Sequence, residues 1–260
     1  MTIFDDLEAE QRRLDGILAH LDDRQWAAPS QADGWSIADV VLHLAQSEEA
    51  VVVSATAAGR PGADRPGPEP AGAYVADIAS RPPGLNVDDF AAEAVRAERA
   101  TTEPVLTRWR RARSAALAAL RGADPRQPLR WVEAPLKPAT LATTRLAEHW
   151  AHGLDITATL GVDFPDTERL RHVAWLAHRT LPYAFVLAGQ QAGDLSCVLT
   201  APNGSDLWSF GPPGAPSVIT GPAGAFCRVA AQRLAPEQSG LQTAGPDADT
   251  ALHLVRTYAA

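Results

Sequence analysis

The sequence predicts a mainly α-helical chain that ends in a small α+β unit. Between Ile3 and Ala188 lie several segments with helix-like spacing of apolar residues, the first, Ile3 to Leu21, at intervals of three, four or seven, the period of helices with one buried face. Beyond Gly193 the character changes: Leu195-Ser196-Cys197-Val198-Leu199-Thr200 and Asp206-Leu207-Trp208-Ser209-Phe210 flank Pro202-Asn203-Gly204, and Asn-Gly between apolar runs is a strong hairpin signal. The composition, 46% hydrophobic and 21% charged over 260 residues, belongs to a globular chain with a sizeable core. The predicted division is a helical bundle over residues 1–190 and a small α+β domain over 191–260.

The first helix runs from about Ile3 to Leu21. It aligns Phe4, Leu7, Leu14, Leu18 and Leu21, with Asp5 and Asp6 in the first turn, where the helix dipole favours negative charge. Pro29 and Gly34 break the pattern, with Trp26 packing under the loop. Ser36 is then a good N-cap, Asp39 completes a shortened capping box, and Trp35 with Val40 can form a hydrophobic staple, so the second helix begins at a defined angle. Residues 59–84 are rich in Pro and Gly. A stretch of that length is either a surface excursion or a lid, with Tyr74, Val75 and Ile78 as anchors.

Asn86 or Asp88 can cap a long third helix through Phe90, Val95 and Trp109 to Leu120, which Pro104 breaks or bends near Thr102. After a short extended piece, Leu129-Arg130-Trp131-Val132, a fourth helix starts near Thr140, carries Leu141, Leu146, Trp150 and Leu154, and ends near Gly161. Asp166-Thr167-Glu168 opens a fifth, through Val173, Trp175, Leu176 and Leu181 to about Ala188. Val218-Ile219-Thr220 reads as a third strand, with helices from about Pro222 to Leu234 and from Asp247 to Ala259.

The chemistry-bearing stretch is Arg145-Leu146-Ala147-Glu148-His149-Trp150-Ala151-His152-Gly153-Leu154-Asp155. On a helix Glu148 and His152 are one turn apart and only about 40° from each other in azimuth, so carboxylate and imidazole can address one ion. The same spacing also suits a plain helix ion pair. His43 lies on the face of Ile37, Val40, Val41 and Leu44, directed to the interior, as either a core histidine or a third ligand from a facing helix. A His2Glu set leaves a fourth position open, the catalytic pattern for zinc. His172 and His178 are six apart and point about 120° from each other, a poor ligand pair.

Asp33-Gly34-Trp35-Ser36-Ile37-Ala38-Asp39-Val40-Val41-Leu42-His43-Leu44, followed about a hundred residues later by the Glu148 to Asp155 helix, resembles the DinB-like metal-binding superfamily, and within it the mycothiol-dependent maleylpyruvate isomerase group. The resemblance covers nearly the whole chain. It implies a DinB-like up-down bundle with zinc ligands at His43, Glu148 and His152. It also implies a sterol-carrier-like C-terminal lobe, in which Val218-Ile219-Thr220-Gly221-Pro222-Ala223 leads into a helix ending Ala231-Gln232-Arg233-Leu234. His149 departs from that pattern as an extra imidazole within about 60° of His152, able to compete as ligand or act as acid or base. Asp155 can accept a hydrogen bond from the ligands or pair with Arg145 or another arginine. By the resemblance Arg233 reaches an anionic group of the thiol or substrate.

A net charge of −8 argues against nucleic acid as the main partner. The one basic cluster, Arg108-Trp109-Arg110-Arg111-Ala112-Arg113, reads first as a solvated helix face and second as an anion contact. No membrane span or signal peptide is evident, so the expected location is the cytoplasm. Cys197 and Cys227 read as buried small residues far from the metal motifs. A diffusible thiol would then supply the sulfur, and the resemblance implies mycothiol, activated at the divalent ion to attack an electrophilic small molecule. Three functions remain open: a thiol transferase or isomerase; a DinB-like metalloenzyme doing thiol-independent hydrolase, lyase or cyclase chemistry; and a non-enzymatic binding module in which the metal is structural and the C-terminal lobe binds an apolar ligand.

Overall fold

The structure, a computed structural model, describes residues 2–58, 87–99, 103–131 and 134–257. The lid or surface excursion read at 59–84, and the cap assigned to Asn86 or Asp88, lie outside the described residues or side chains. The chain separates into two compact units, dividing between Asp163 and Phe164.

The first unit contains helices α1 (Ile3–Leu18), α2 (Asp23–Trp26), α3 (Ile37–Ala58), α4 (Val87–Glu98), α5 (Val105–Gly122) and α6 (Pro138–Leu160). Their ends are written in the sequence. Thr2 and Asp5 form a reciprocal capping box on α1, and Asp22 with Gln25 forms another on α2. At α3, the Ser36 backbone N–H donates to Asp39 Oδ2 at 2.9 Å and the Asp39 N–H donates to Ser36 Oγ at 3.2 Å. Arg99 fastens this cap, donating from Nε to Asp39 Oδ1 at 2.8 Å and from Nη2 to the Gly34 carbonyl. Pro104 stands at the N-cap of α5, so the predicted long third helix is two helices. Gly161, with φ of 64°, closes α6 in the left-handed conformation that glycine adopts without a Cβ penalty.

Leu14 and Leu18 of α1, Ile37, Val40, Val41, Leu44 and Ala45 of α3, Trp109 and Ala112 of α5, and Ile156 of α6 form one buried cluster, with Trp26 and Trp35 packed at its margin. The amphipathic spacing of each segment thus becomes a shared interior, and α3 and α6 lie side by side within it.

The second unit holds α7 (Leu170–Leu187), β1 (Leu195–Thr200), β2 (Leu207–Phe210), β3 (Ser217–Pro222), α8 (Ala223–Ala230), β4 (Gln242–Ala244) and α9 (Ala248–Leu254). The sheet order is β2-β1-β3-β4. β1 pairs antiparallel with β2 and parallel with β3, and β3 pairs antiparallel with β4. Cys197 lies opposite Phe210 on one side and Ile219 on the other, all three buried. The hairpin turns at Asn203-Gly204, where Asn203 Oδ1 accepts from the Ser205 and Asp206 N–H groups.

Three sequence expectations change here. The boundary falls at 163/164 rather than 190/191, because α7 packs on α8, with Cys227 Sγ directed at the Leu170 carbonyl. Periodicity shows which face of α7 is buried, but not against what. The helix predicted to Leu234 stops at Ala230, where Gln232 takes φ of 59°, Arg233 N–H donates to Arg228 O and Gln232 N–H to Val229 O. That is a Schellman stop with glutamine in the usual glycine position. The last helix ends at Leu254 instead of Ala259: tertiary bonds from Thr180 Oγ1 to Arg256 O and from Thr257 N–H to Ala230 O replace the helical ones. Among the described residues no helix is long and apolar enough to cross a membrane.

Candidate metal centre

The capped start of α3 places His43 about two turns in, opposite the Glu148 and His152 turn of α6. Glu148 Oε2 lies 3.6 Å from Nε2 of His43 and 3.6 Å from Nε2 of His152. One ligand atom from each residue falls within 4.8 Å of the others, and among the described residues this is the one such group of three. Separations of 3.6 Å are long for hydrogen bonds but close to the roughly 3.3 Å between neighbouring ligands of a tetrahedral zinc with bonds of about 2.0–2.1 Å. The donor set therefore fits a divalent cation.

Asp155 sets the orientation of His152. Its Oδ2 lies 2.9 Å from His152 Nδ1, and Asp155 is only 1% exposed. A carboxylate can only accept, so the ring proton sits on Nδ1 and Nε2 turns its lone pair to the cluster, the arrangement that orients metal-binding histidines. Trp35 covers both imidazoles, its ring centroid 5.0 Å from His43 and 6.1 Å from His152. Glu148 keeps 24% of its side chain exposed against 11% for each histidine, so the cluster opens to solvent on its carboxylate side.

Electrostatics leave these groups in the protonation states that a metal ion would require. Burial pushes the His43 pKa down, opposed by Glu148, and keeps the imidazole neutral. For Glu148, burial works against ionisation. His43, the Arg145 guanidinium and His152 outweigh it, holding the carboxyl well below the ordinary range. His43 Nδ1 is buried without a hydrogen-bond partner.

His149 is not brought to the cluster. It is fully buried on the adjacent face of α6, where its Nε2 accepts from the Trp109 indole N–H at 3.2 Å and its Nδ1 lies 2.8 Å from the Arg145 carbonyl. Both ring nitrogens are thus engaged. Burial, then the nearby Arg145 charge, push its pKa down to about 3. The offset of about 60° from His152 turns the ring toward α5 and away from the His43, Glu148 and His152 cluster, so in this structure His149 braces α6 against α5.

The basic run of α5 is also corrected. Arg108 is 8% exposed and ion-paired with Glu49 and Glu98, while Arg110 and Arg113 both pair with Asp15 and Arg111 with Glu103. Facing acidic side chains take up these charges, which a one-dimensional reading cannot see. Cys197 and Cys227 are buried, and burial pushes the Cys197 thiol up to about 12. Arg233 belongs to the second unit, where its Nη1 donates to the Ala231 carbonyl at 2.7 Å.

A buried ion pair escaped sequence reasoning: Arg145 of α6 donates from Nε to Glu48 Oε1 of α3 at 3.2 Å, with Glu48 fully buried. A signal was present. Glu48 continues the stripe Ile37, Val40, Val41, Leu44 and Val51, so a charge stands on an apolar face.

Comparison with known proteins places this geometry in context. The family described as the mycothiol maleylpyruvate isomerase N-terminal domain matches residues 7–157, a span that includes all three cluster residues. Uncharacterised proteins from two strains of Mycobacterium tuberculosis are each 35% identical over 256 residues, covering 98% of this chain and 94% of their own. The crystal structure of the mycothiol-dependent maleylpyruvate isomerase superposes with a TM-score of 0.57 at 14% identity, covering 93% of this chain and 91% of that one. A histidine-to-alanine mutant of that enzyme gives 0.58 at 13%, with the same coverage. At such identities the structures speak for a shared fold.

Proposed function

The chain belongs to the mycothiol maleylpyruvate isomerase N-terminal domain family, and from that premise we propose that it is a metal-dependent enzyme that activates a small-molecule thiol of the mycothiol type for transfer to, or isomerisation of, an electrophilic small molecule. The observation that carries this reading is the convergence of His43, Glu148 and His152, with Asp155 fixing the His152 tautomer. A divalent ion there, zinc by its donor set, would supply the positive charge that stabilises a thiolate at neutral pH.

The chain's own residues do the rest. Glu148 and the two imidazoles provide one negative charge and two neutral donors, leaving net positive charge at a bound dication. Trp35 walls the histidine side, its ring 5.0 Å from His43 and 6.1 Å from His152. Asp155 holds a proton on His152 Nδ1 throughout and is a positioning residue. Arg233 is assigned to an anionic group of the thiol or substrate, on the likeness of its segment to that of the isomerase group. The deeply buried Cys197 and Cys227 favour an external sulfur.

The test is turnover of maleylpyruvate or a reactive epoxide by zinc-loaded protein with mycothiol, with a simple thiol, and with none. The proposal expects dependence on thiol, with mycothiol preferred. Thiol-independent turnover would replace it with a hydrolase, lyase or cyclase reading. A protein that takes up no divalent metal would remove the site.

A further inference from the structure

The cluster exists only while α3 and α6 keep their register, because His43 comes from one helix and Glu148 with His152 from the other. A slip of one residue along a helix moves a side chain by about 1.5 Å and turns it by about 100°, enough to separate ligands. The apolar stripes keep the buried faces inward, but packing of Ile, Val, Leu and Ala side chains is non-directional and fixes smaller shifts and rotations less sharply than a hydrogen-bonded pair does.

The Glu48–Arg145 pair is directional and sits one rung away from the cluster. Glu48 lies five residues beyond His43 on α3, and Arg145 lies five residues before the midpoint of Glu148 and His152 on α6. The two rungs are therefore about 7.5 Å apart on both helices, which run antiparallel. His149 packs beside the pair: its Nδ1 lies 2.8 Å from the Arg145 carbonyl and 3.6 Å from Glu48 Oε1, and Trp109 of α5 donates to its other nitrogen.

As a stability element the pair is poorly optimised. Arg145 is 4% exposed and Glu48 fully buried, yet Arg145 Nη2 and Glu48 Oε2 are both buried without a hydrogen-bond partner. Burying two charges with unfilled bonding capacity costs more than an apolar pair of the same volume, and such pairs are retained in some proteins because they specify register. Burial raises the Glu48 pKa, opposed by Arg145, consistent with a carboxylate kept there at a cost.

We propose that Glu48 and Arg145 are positioning residues that fix the axial register and rotation of α3 against α6, and through it the geometry of the His43, Glu148 and His152 ligand set. This rests on reading that set as a metal site. The test compares full-length parent, His152→Ala, the apolar double variant Glu48→Leu/Arg145→Met, and Arg145→Lys, which keeps the charge but loses the planar fork. Co2+ serves as the metal, with affinity from titration, coordination from the visible absorption spectrum, and thermal unfolding of the metal-free protein. The parent is expected to bind one Co2+ with a tetrahedral spectrum and His152→Ala none. The apolar double variant is expected to unfold cooperatively at the parent's temperature or higher, yet bind Co2+ at least tenfold more weakly with an altered spectrum, and Arg145→Lys to fall between. An unchanged affinity and spectrum in the double variant, with the parent still binding, would overturn the register role alone. A double variant that does not fold, with Arg145→Lys binding as the parent does, would make the pair a stability element and overturn it too. A parent that takes no Co2+ removes the metal reading and this one with it.

Discussion

Replacing Asp155 by Asn leaves the shape of the side chain and changes what it can offer His152. The carboxylate is 1% exposed and 2.9 Å from Nδ1, so water cannot take its place. A hydrogen bond to a charged acceptor contributes about 1.5–3 kcal/mol and one between neutral groups about 0.5–1.5, so the exchange removes about 1–1.5 kcal/mol of ligand orientation. The amide can also flip and donate, which would select the tautomer with its lone pair on the wrong nitrogen. At 1.4 kcal/mol per factor of ten, zinc affinity should fall about tenfold, the lower end of the 10–100-fold range for residues that orient metal ligands. The assay is competition for Zn2+ against a chromophoric chelator, with thermal unfolding of both metal-free proteins alongside. The metal-free proteins should unfold at similar temperatures, since the loss concerns ligation. A zinc affinity within about twofold of the parent would refute the orienting role.

His43→Ala and His152→Ala should strip the metal, measured by elemental analysis, while far-UV circular dichroism stays near the parent's. His149→Ala should instead keep the metal and lose about 2–4 kcal/mol in denaturant unfolding, because it opens a cavity and orphans the Trp109 indole N–H; metal loss on that substitution would restore it as a ligand. Gly161→Ala meets no atom within 4 Å but must adopt φ of 64°, so its cost should be the conformational one alone, about 1–2 kcal/mol by thermal unfolding. A disulfide reagent should find no reactive thiol in the folded protein and two after unfolding, since both cysteines are buried.

The helices of the first unit were legible because their signals are local. Ser36 with Asp39 starts α3, Pro104 caps the start of α5, Gly161 ends α6, and the Glu148–His152 spacing puts carboxylate and imidazole on one face without reference to anything distant. What escaped depends on partners far along the chain. The Arg108 to Arg113 run carries no mark of the Glu49, Glu98 and Asp15 carboxylates that absorb it. The assignment of His149 turned on whether α5 lay beside that face of α6, and the stop at Ala230 on a left-handed glutamine that composition does not announce. β4, three residues long, is too short to show a period and is strand-like only through its pairing with β3. Asn203-Gly204 worked because a turn needs only its own residues.

The donors of the candidate centre come from two short helical stretches, Ser36 to Glu48 and Arg145 to Asp155, separated by about a hundred residues, none of the described ones joining the group. Variation in a lineage should therefore be lopsided. In the connections between helices the chain can lengthen or shorten at little cost, because loop closure costs grow only slowly with length and the helix faces, not the connections, set the distance. Inside either stretch a single inserted or deleted residue turns every later side chain by about 100° and takes the donors apart at one stroke. The spacings from Ser36 to His43 and from Glu148 to Asp155 are thus the part of the sequence by which distant kin could be recognised after the rest had drifted.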